Sequence, residues 1–66
     1  MNFDHKELIL MMLYNTGTRL GLIHELRLMQ CYLMPDETAL RELSEQVIEK
    51  LKLLTDAEFA ELEFPP

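Results

Sequence analysis

The sequence predicts a small all-α protein, a three-to-four-helix bundle with a short capped C-terminal helix. Over residues 36–54, apolar side chains recur at the three- and four-residue spacings of one helix face. Two helix-start signals, Asp4-x-x-Glu7 and Thr55-x-x-Glu58, place an acidic residue three positions after a capping residue. Turn-forming residues at 15–18 and Pro35 divide the chain between helices. Because the chain has only 66 residues, we expect one domain, 1–66.

The first helix is predicted from about Asp4 to Tyr14. Its residues Leu8–Leu13 are all apolar and would cover every direction around a helix. A helix that is apolar all round is expected to be buried on most sides or shared with a partner, and this segment is predicted to be the central helix. A strand is the alternative for so short an apolar run, but leucine and methionine favour a helix.

The second helix is predicted from about Arg19 to Leu33. Gly17 can adopt the left-handed turn that ends the first helix, and Thr18 can cap the second. Gly21 is expected to weaken the first turn by roughly 1 kcal/mol relative to alanine. Pro35 ends the helix, because the residue before a proline avoids the helical region. The apolar stripe of this helix contains Leu22, Ile23, Leu26, Met29 and Leu33.

The third helix is predicted from about Asp36 to Leu54, and the fourth from Thr55 to near Glu63. The third helix has the clearest amphipathic pattern, whereas the fourth is short and offers Phe59 and Leu62 to the core. The residues predicted to lie inside the bundle are Leu8–Leu13, Leu22, Leu26, Leu43, Val47, Leu51 and Phe59.

The charge of the chain limits the classes of partner. The formal net charge is −6, with only six lysines and arginines. Affinity for nucleic acid and for anionic membranes depends on neutralising phosphates, so we expect neither as a direct partner. The longest apolar run, Leu8–Tyr14, is far shorter than the ~20 residues that span a bilayer. The first residues also lack the basic region of a signal peptide, and a cytoplasmic location is therefore expected.

The candidate ligands and nucleophiles do not form a chemical site. His5, His24 and Cys31 share no close metal-binding motif. His24 and Cys31 would lie about 10.5 Å apart along one helix, too far to ligate one zinc ion or to act as a nucleophile and its base. We therefore predict no metal, no cofactor and no enzymatic activity.

Two surfaces are candidates for contact with another protein. Opposite its main stripe, the second helix carries Leu20, His24, Arg27, Leu28 and Cys31. The preferred interpretation is that this face packs on the fourth helix. The alternative is a contact surface for an unidentified protein partner or for a second copy, in which case the chain would be a monomer or a weak homodimer. The acidic end of the chain is the second candidate, with Asp56, Glu58, Glu61 and Glu63.

Several segments follow one another in a recognisable order. They are Asn15-Thr16-Gly17-Thr18-Arg19, Leu22-Ile23, Leu26-Arg27, Leu40-Arg41-Glu42-Leu43, Val47-Ile48-Glu49-Lys50-Leu51 and the run from Leu54 to Phe64. In this order they resemble one family, the transposon-transfer-assisting proteins carried on conjugative transposons of clostridia and related Firmicutes. The resemblance covers most of the chain and is most specific at Thr55–Leu62.

The resemblance implies an accessory role in transfer of a mobile element. Because the residues form no chemical site, we expect a non-enzymatic protein that acts in this role through protein–protein contact. It supplies no catalytic or binding residues. A different class of function is also consistent with the residues, namely an acidic regulatory or DNA-mimicking factor that binds a basic DNA-binding protein. The two functions would respond differently to salt, because screening weakens contacts between charged surfaces more than apolar contacts.

Overall fold

The computed structural model describes residues 2–65, which form four helices and no β-strand. The helices are α1 (His5–Tyr14), α2 (Arg19–Cys31), α3 (Thr38–Leu53) and α4 (Asp56–Ala60). The three longer helices pack against one another, and α3 contacts both α1 and α2. The predicted small helical bundle is confirmed.

Both predicted capping boxes are present. At the start of α1, the Asp4 carboxylate accepts a hydrogen bond from the Glu7 backbone N–H at 2.8 Å, and the Glu7 carboxylate accepts from the Asp4 N–H at 2.9 Å. At the start of α4, the Thr55 hydroxyl accepts from the Glu58 N–H at 3.1 Å, and the Glu58 carboxylate accepts from the Thr55 N–H at 2.9 Å. Each box satisfies two backbone donors that a helix start leaves without intrahelical partners.

Two glycines shape the connection from α1 to α2. Gly17 has a φ of +100°, a conformation that residues with a Cβ rarely adopt. Gly21 lies in the first turn of α2, where its N–H donates to the Thr18 hydroxyl at 3.0 Å. A Cβ on Gly21 would lie only 2.6 Å from that hydroxyl oxygen and would also collide with the Thr16 hydroxyl. The glycine at 21 therefore allows the close approach of these two threonines.

The three later helices are shorter than predicted. α2 ends at Cys31 because the N–H groups of Tyr32 and Leu33 donate to carbonyls three residues back, which tightens the chain. α3 begins at Thr38 because Glu37 closes a turn, accepting from the Met34 N–H with its carboxylate and donating to the Met34 carbonyl. The α4 helix ends at Ala60 and is followed by a turn with similar three-residue bonds.

The described residues share one hydrophobic core. The expected core positions Leu22, Leu26, Val47, Leu51 and Phe59 are buried. The remaining buried apolar residues are Leu10, Met11, Ile48 and Leu54, with half-buried side chains such as Leu43 around them.

The prediction that α1 is buried on most sides is wrong. Leu10 and Met11 lie in the core, but Met12 and Leu13 are exposed, the latter to 69%. The expected core position Leu43 is likewise only half-buried. The reason is geometric: the three long helices all pack against one another, and α2 and α3 together cover only one side of α1.

Candidate protein-contact site

The structure exposes the whole face of α2 that the sequence identified as a possible contact surface. We call Leu20, His24, Arg27, Leu28 and Cys31 the α2 outer face, and all five side chains are exposed. Leu20 is 65% exposed and Leu28 is 43% exposed. The preferred sequence interpretation, in which this face packs on the fourth helix, is therefore wrong. The face is available to another molecule, and its role as an interface stays a prediction.

The N-terminal end of the α2 outer face borders an open groove of about 710 Å³, here called the first groove. One side is formed by the α1–α2 connection and the first residues of α2, including Leu20. The other side is formed by α4 and the segment after it, with Phe59, Leu62 and Phe64 among its lining residues. The exposed Leu20 therefore lies across this groove from Phe59, Leu62 and Phe64.

A second groove, of about 470 Å³, borders the C-terminal end of the α2 outer face. Leu28 lines it together with Tyr32, and Tyr14 from α1 and Leu40 from α3 complete much of its surface. Tyr32 is exposed, and its aromatic ring offers a large contact area at a low cost in side-chain entropy. The α2 outer face thus connects two grooves with partly apolar linings.

Arg19 fixes the elements around the first groove. Its Nε donates to the Asp56 carboxylate at 2.8 Å, and its Nη1 donates to the Leu51 carbonyl at 3.1 Å. The Arg19 side chain is mostly buried, while Asp56 remains largely exposed. One guanidinium thereby connects the start of α2, the last turn of α3 and the first turn of α4, and it neutralises one of the four acidic residues near the end of the chain.

The acidic C-terminal segment, Asp56, Glu58, Glu61 and Glu63, is exposed at all four positions. A hydrogen bond from the Thr55 backbone N–H, and after it one with the Thr55 side chain, lower the pKa of the Glu58 carboxyl group from its ordinary value. The Glu58 carboxylate thus caps the helix, and the Asp56 carboxylate pairs with Arg19. Glu61 and Glu63 are the two acidic side chains of the segment that make neither an ion pair nor a side-chain hydrogen bond within residues 2–65.

A charged cluster that the sequence reasoning missed lies where α1 meets α3. The Lys50 ammonium donates to the Glu7 carboxylate at 2.6 Å and to the Asn2 carbonyl at 3.0 Å. It also lies 5.4 Å from the centroid of the Phe3 ring, within the range of a cation–π contact. The Glu7 side chain is 1% exposed. The cluster holds the segment before α1 on the bundle, and its role is structural.

The other candidate groups stay apart. In the part of the chain that the structure describes, no three histidine, cysteine, aspartate or glutamate side chains form a group that could hold a metal ion. Cys31, the chain's one cysteine, is exposed. None of the helices described is long and apolar enough to cross a membrane.

These features define a small all-helical protein whose most distinctive exposed feature is an apolar and basic helix face between two grooves. The chain belongs to the family described as "Putative transposon-transfer assisting protein", whose model matches residues 3–66. The resemblance seen in the sequence is thus confirmed, and the description of the family assigns its members an accessory role in transposon transfer. No curated protein and no solved structure matches the chain significantly.

Proposed function

We propose that this chain assists transposon transfer as a non-enzymatic accessory protein, and that it binds a partner protein through the α2 outer face. The observation that carries the proposal is the exposure of Leu20 and Leu28 on one side of a helix whose other side is buried in the core. The family described above supplies the biological setting.

Energetic considerations favour a contact role for this face. Burying a leucine side chain is worth about 1.5–3 kcal/mol, and neither leucine obtains its full share within the bundle. Tyr32 extends the same surface, and tyrosine and arginine are enriched at the centres of protein interfaces. Single exposed leucines are common on soluble proteins, but here the leucines lie at the mouths of two grooves.

The proposal is tested by transfer frequency. Donor cells carrying a conjugative transposon that encodes this chain would express the Leu20→Glu/Leu28→Glu variant, and mating would count the recipients that acquire the element. The matched control is Leu53→Glu, which alters a leucine that is 73% exposed on α3, outside the α2 outer face. We expect the double variant to fold, to lose capture of the partner and to reduce transfer. The control variant should fold, capture the partner and support transfer like the wild type. A folded double variant with wild-type transfer and partner capture would reject the proposal.

A second function uses the acidic C-terminal segment to bind a basic DNA-binding protein. Glu61 and Glu63 support it, because both are exposed and make no ion pair within residues 2–65. The Glu61→Lys/Glu63→Lys variant separates the two functions. Under this alternative, partner binding falls in that variant and weakens steeply with added salt, whereas the Leu20→Glu/Leu28→Glu variant binds normally.

A further inference from the structure

We propose that the segment bound by the α2 outer face is an amphipathic helix of a partner protein, with a carboxylate between two apolar side chains. This inference rests on the proposed function, since it specifies the chemistry of the partner at the same surface. Three properties of the exposed face support it: its shape, the distance between its apolar residues and its charge.

The shape of the exposed face is a ridge of four side chains. Leu20, His24, Leu28 and Tyr32 follow one another at four-residue intervals, and all are exposed. Side chains at this spacing form a ridge inclined by about 26° to the helix axis, which packs into the groove between equivalent ridges of a second helix. The exposed ridge begins at the first groove with Leu20 and ends in the second groove with Leu28 and Tyr32.

The distance along the ridge matches that along a partner helix. Leu20 and Leu28 are eight positions apart, so the rise of about 1.5 Å per residue separates them by about 12 Å along α2. Two apolar side chains eight positions apart on a partner helix have the same separation and could each enter one groove. Apolar anchors on successive turns of one face are typical of an amphipathic helix bound in an apolar groove.

The charge of the face favours a carboxylate at the middle of that partner helix. Arg27 is exposed beside His24 and forms no ion pair with any residue that the structure describes. The acidic residue of α2, Glu25, is two positions away and half-buried at the second groove, and at 100° per residue it points to the other side of the helix. A carboxylate facing Arg27 would therefore find a cation without a competing acid on the same face.

The same charge argues against a second copy as the occupant. A copy placed on the exposed ridge would present its own His24 and Arg27 instead of a carboxylate. Each chain also carries a net charge of −6, so two copies repel each other as they approach. The partner helix is thus expected on a different protein.

The test uses the full chain and synthetic helical peptides of roughly 20 residues, long enough to be helical in water. The probe peptide carries Leu, Glu and Leu at successive i+4 positions in an alanine-rich background. One reference peptide has Lys in place of Glu, and another has Ala in place of both leucines. Fluorescence anisotropy of labelled peptide measures affinity, and the rate of alkylation of Cys31, on the same face, reports where the peptide binds.

We expect the Leu-Glu-Leu peptide to bind about fivefold more tightly than its Lys counterpart at low salt, as one charge pair at a partly exposed site predicts. Bound peptide should slow alkylation of Cys31. The Arg27→Glu variant should reverse the preference, and Arg41→Glu, an exposed arginine of α3, should leave it unchanged.

Three results would overturn the inference: equal affinity for the Glu and Lys peptides, equal affinity for the leucine-free peptide, or a homodimer of the chain alone that Leu28→Glu dissociates. These failures are distinct from failure of the proposed function. If transfer still depends on Leu20 and Leu28 while the peptides show no preference, the contact face stands and the acidic helix is rejected.

Discussion

Replacing Lys50 with methionine should destabilise the fold, because Glu7 would be left charged and buried without its cation. The Lys50 ammonium lies 2.6 Å from the Glu7 carboxylate, and the Glu7 side chain is 1% exposed. The Asp4 N–H would remain as a donor to one carboxylate oxygen, Oε1. The other oxygen, Oε2, is buried and accepts no hydrogen bond from the residues described. Methionine retains much of the apolar stem of lysine, so the substitution chiefly removes the charge.

The size of the effect follows from the exposure of the two partners. Removing one member of a fully buried ion pair costs about 3–5 kcal/mol, whereas an exposed pair contributes about 0–1 kcal/mol. The Lys50 side chain is 33% exposed, so water already solvates part of the ammonium group. An intermediate loss of about 2 kcal/mol is therefore expected. For a domain of this size, that loss lowers the melting temperature by roughly 10 °C.

Circular dichroism during thermal and urea unfolding measures the loss. The matched control is Lys52→Met, since Lys52 is more exposed and lies 3.4 Å from Glu49; it should cost less than about 0.5 kcal/mol. The Glu7→Gln/Lys50→Met double variant should recover part of the stability, because glutamine can keep the capping hydrogen bond without a charge. A Lys50→Met loss no larger than that of Lys52→Met, or a double variant less stable than the single one, would show that Lys50 does not stabilise a buried charge on Glu7.

Three further predictions concern the start of α4 and its attachment. Thr55→Ala should lower the free energy of unfolding by ~1 kcal/mol in urea titrations, and Thr38→Ala, which removes no capping bond, should have little effect. The pKa of Glu58 is lowered in the folded state, so its carboxylate stabilises the fold at pH values above the pKa of the unfolded chain. This stabilisation is lost as the pH falls through the pKa of the folded state. The advantage of wild type over Glu58→Gln should thus vanish in acid; an advantage that persists there would contradict this. Arg19→Lys cannot reproduce both guanidinium bonds, so hydrogen exchange of α4 amides should accelerate; unchanged exchange would count against this attachment.

The local parts of the fold could be predicted from the sequence, because their causes lie within a few residues. Asp4 with Glu7, and Thr55 with Glu58, form hydrogen bonds between neighbours in the chain, and both boxes are present. The burial of α1 could not be predicted in the same way. Which side of the apolar run Leu8–Leu13 faces solvent depends on where α2 and α3 pack. Leu13 has no local feature that distinguishes it from Leu10.

Gly21 shows the same limit at a single residue. Its helix propensity predicts only a cost, since a glycine in the first turn loses more backbone entropy than an alanine. The structure shows a steric reason for glycine, because the hydroxyls of Thr16 and Thr18 occupy the space next to its Cα. The pairing of Glu7 with Lys50 could not be predicted from neighbouring residues either, since the two residues are 43 positions apart in the chain.

The position of the candidate site could be predicted from the sequence, but its exposure to solvent could not. The periodicity of α2 identified Leu20, Arg27 and Cys31 as one face, and the structure keeps them together. Whether that face is buried depends on where α4 and the segment after it pack, which the pattern of α2 does not reveal. With α4 ending at Ala60, the helix is short and the segment after it forms one side of the first groove, while the outer face of α2 remains exposed.

The residues that hold the fold are separate from those that form the candidate contact site, and this makes the contact testable. The core of α2 consists of Leu22 and Leu26, whereas Leu20 and Leu28 lie on the exposed ridge. Substitutions on the ridge should therefore change binding with little effect on folding. A partner that binds only the folded chain stabilises it. At partner concentrations above the dissociation constant, this added stability grows with the logarithm of the concentration. Thermal shifts that appear with wild type and disappear with Leu28→Glu, at equal melting temperatures of the free proteins, would thus detect the contact; equal shifts for both would place it elsewhere.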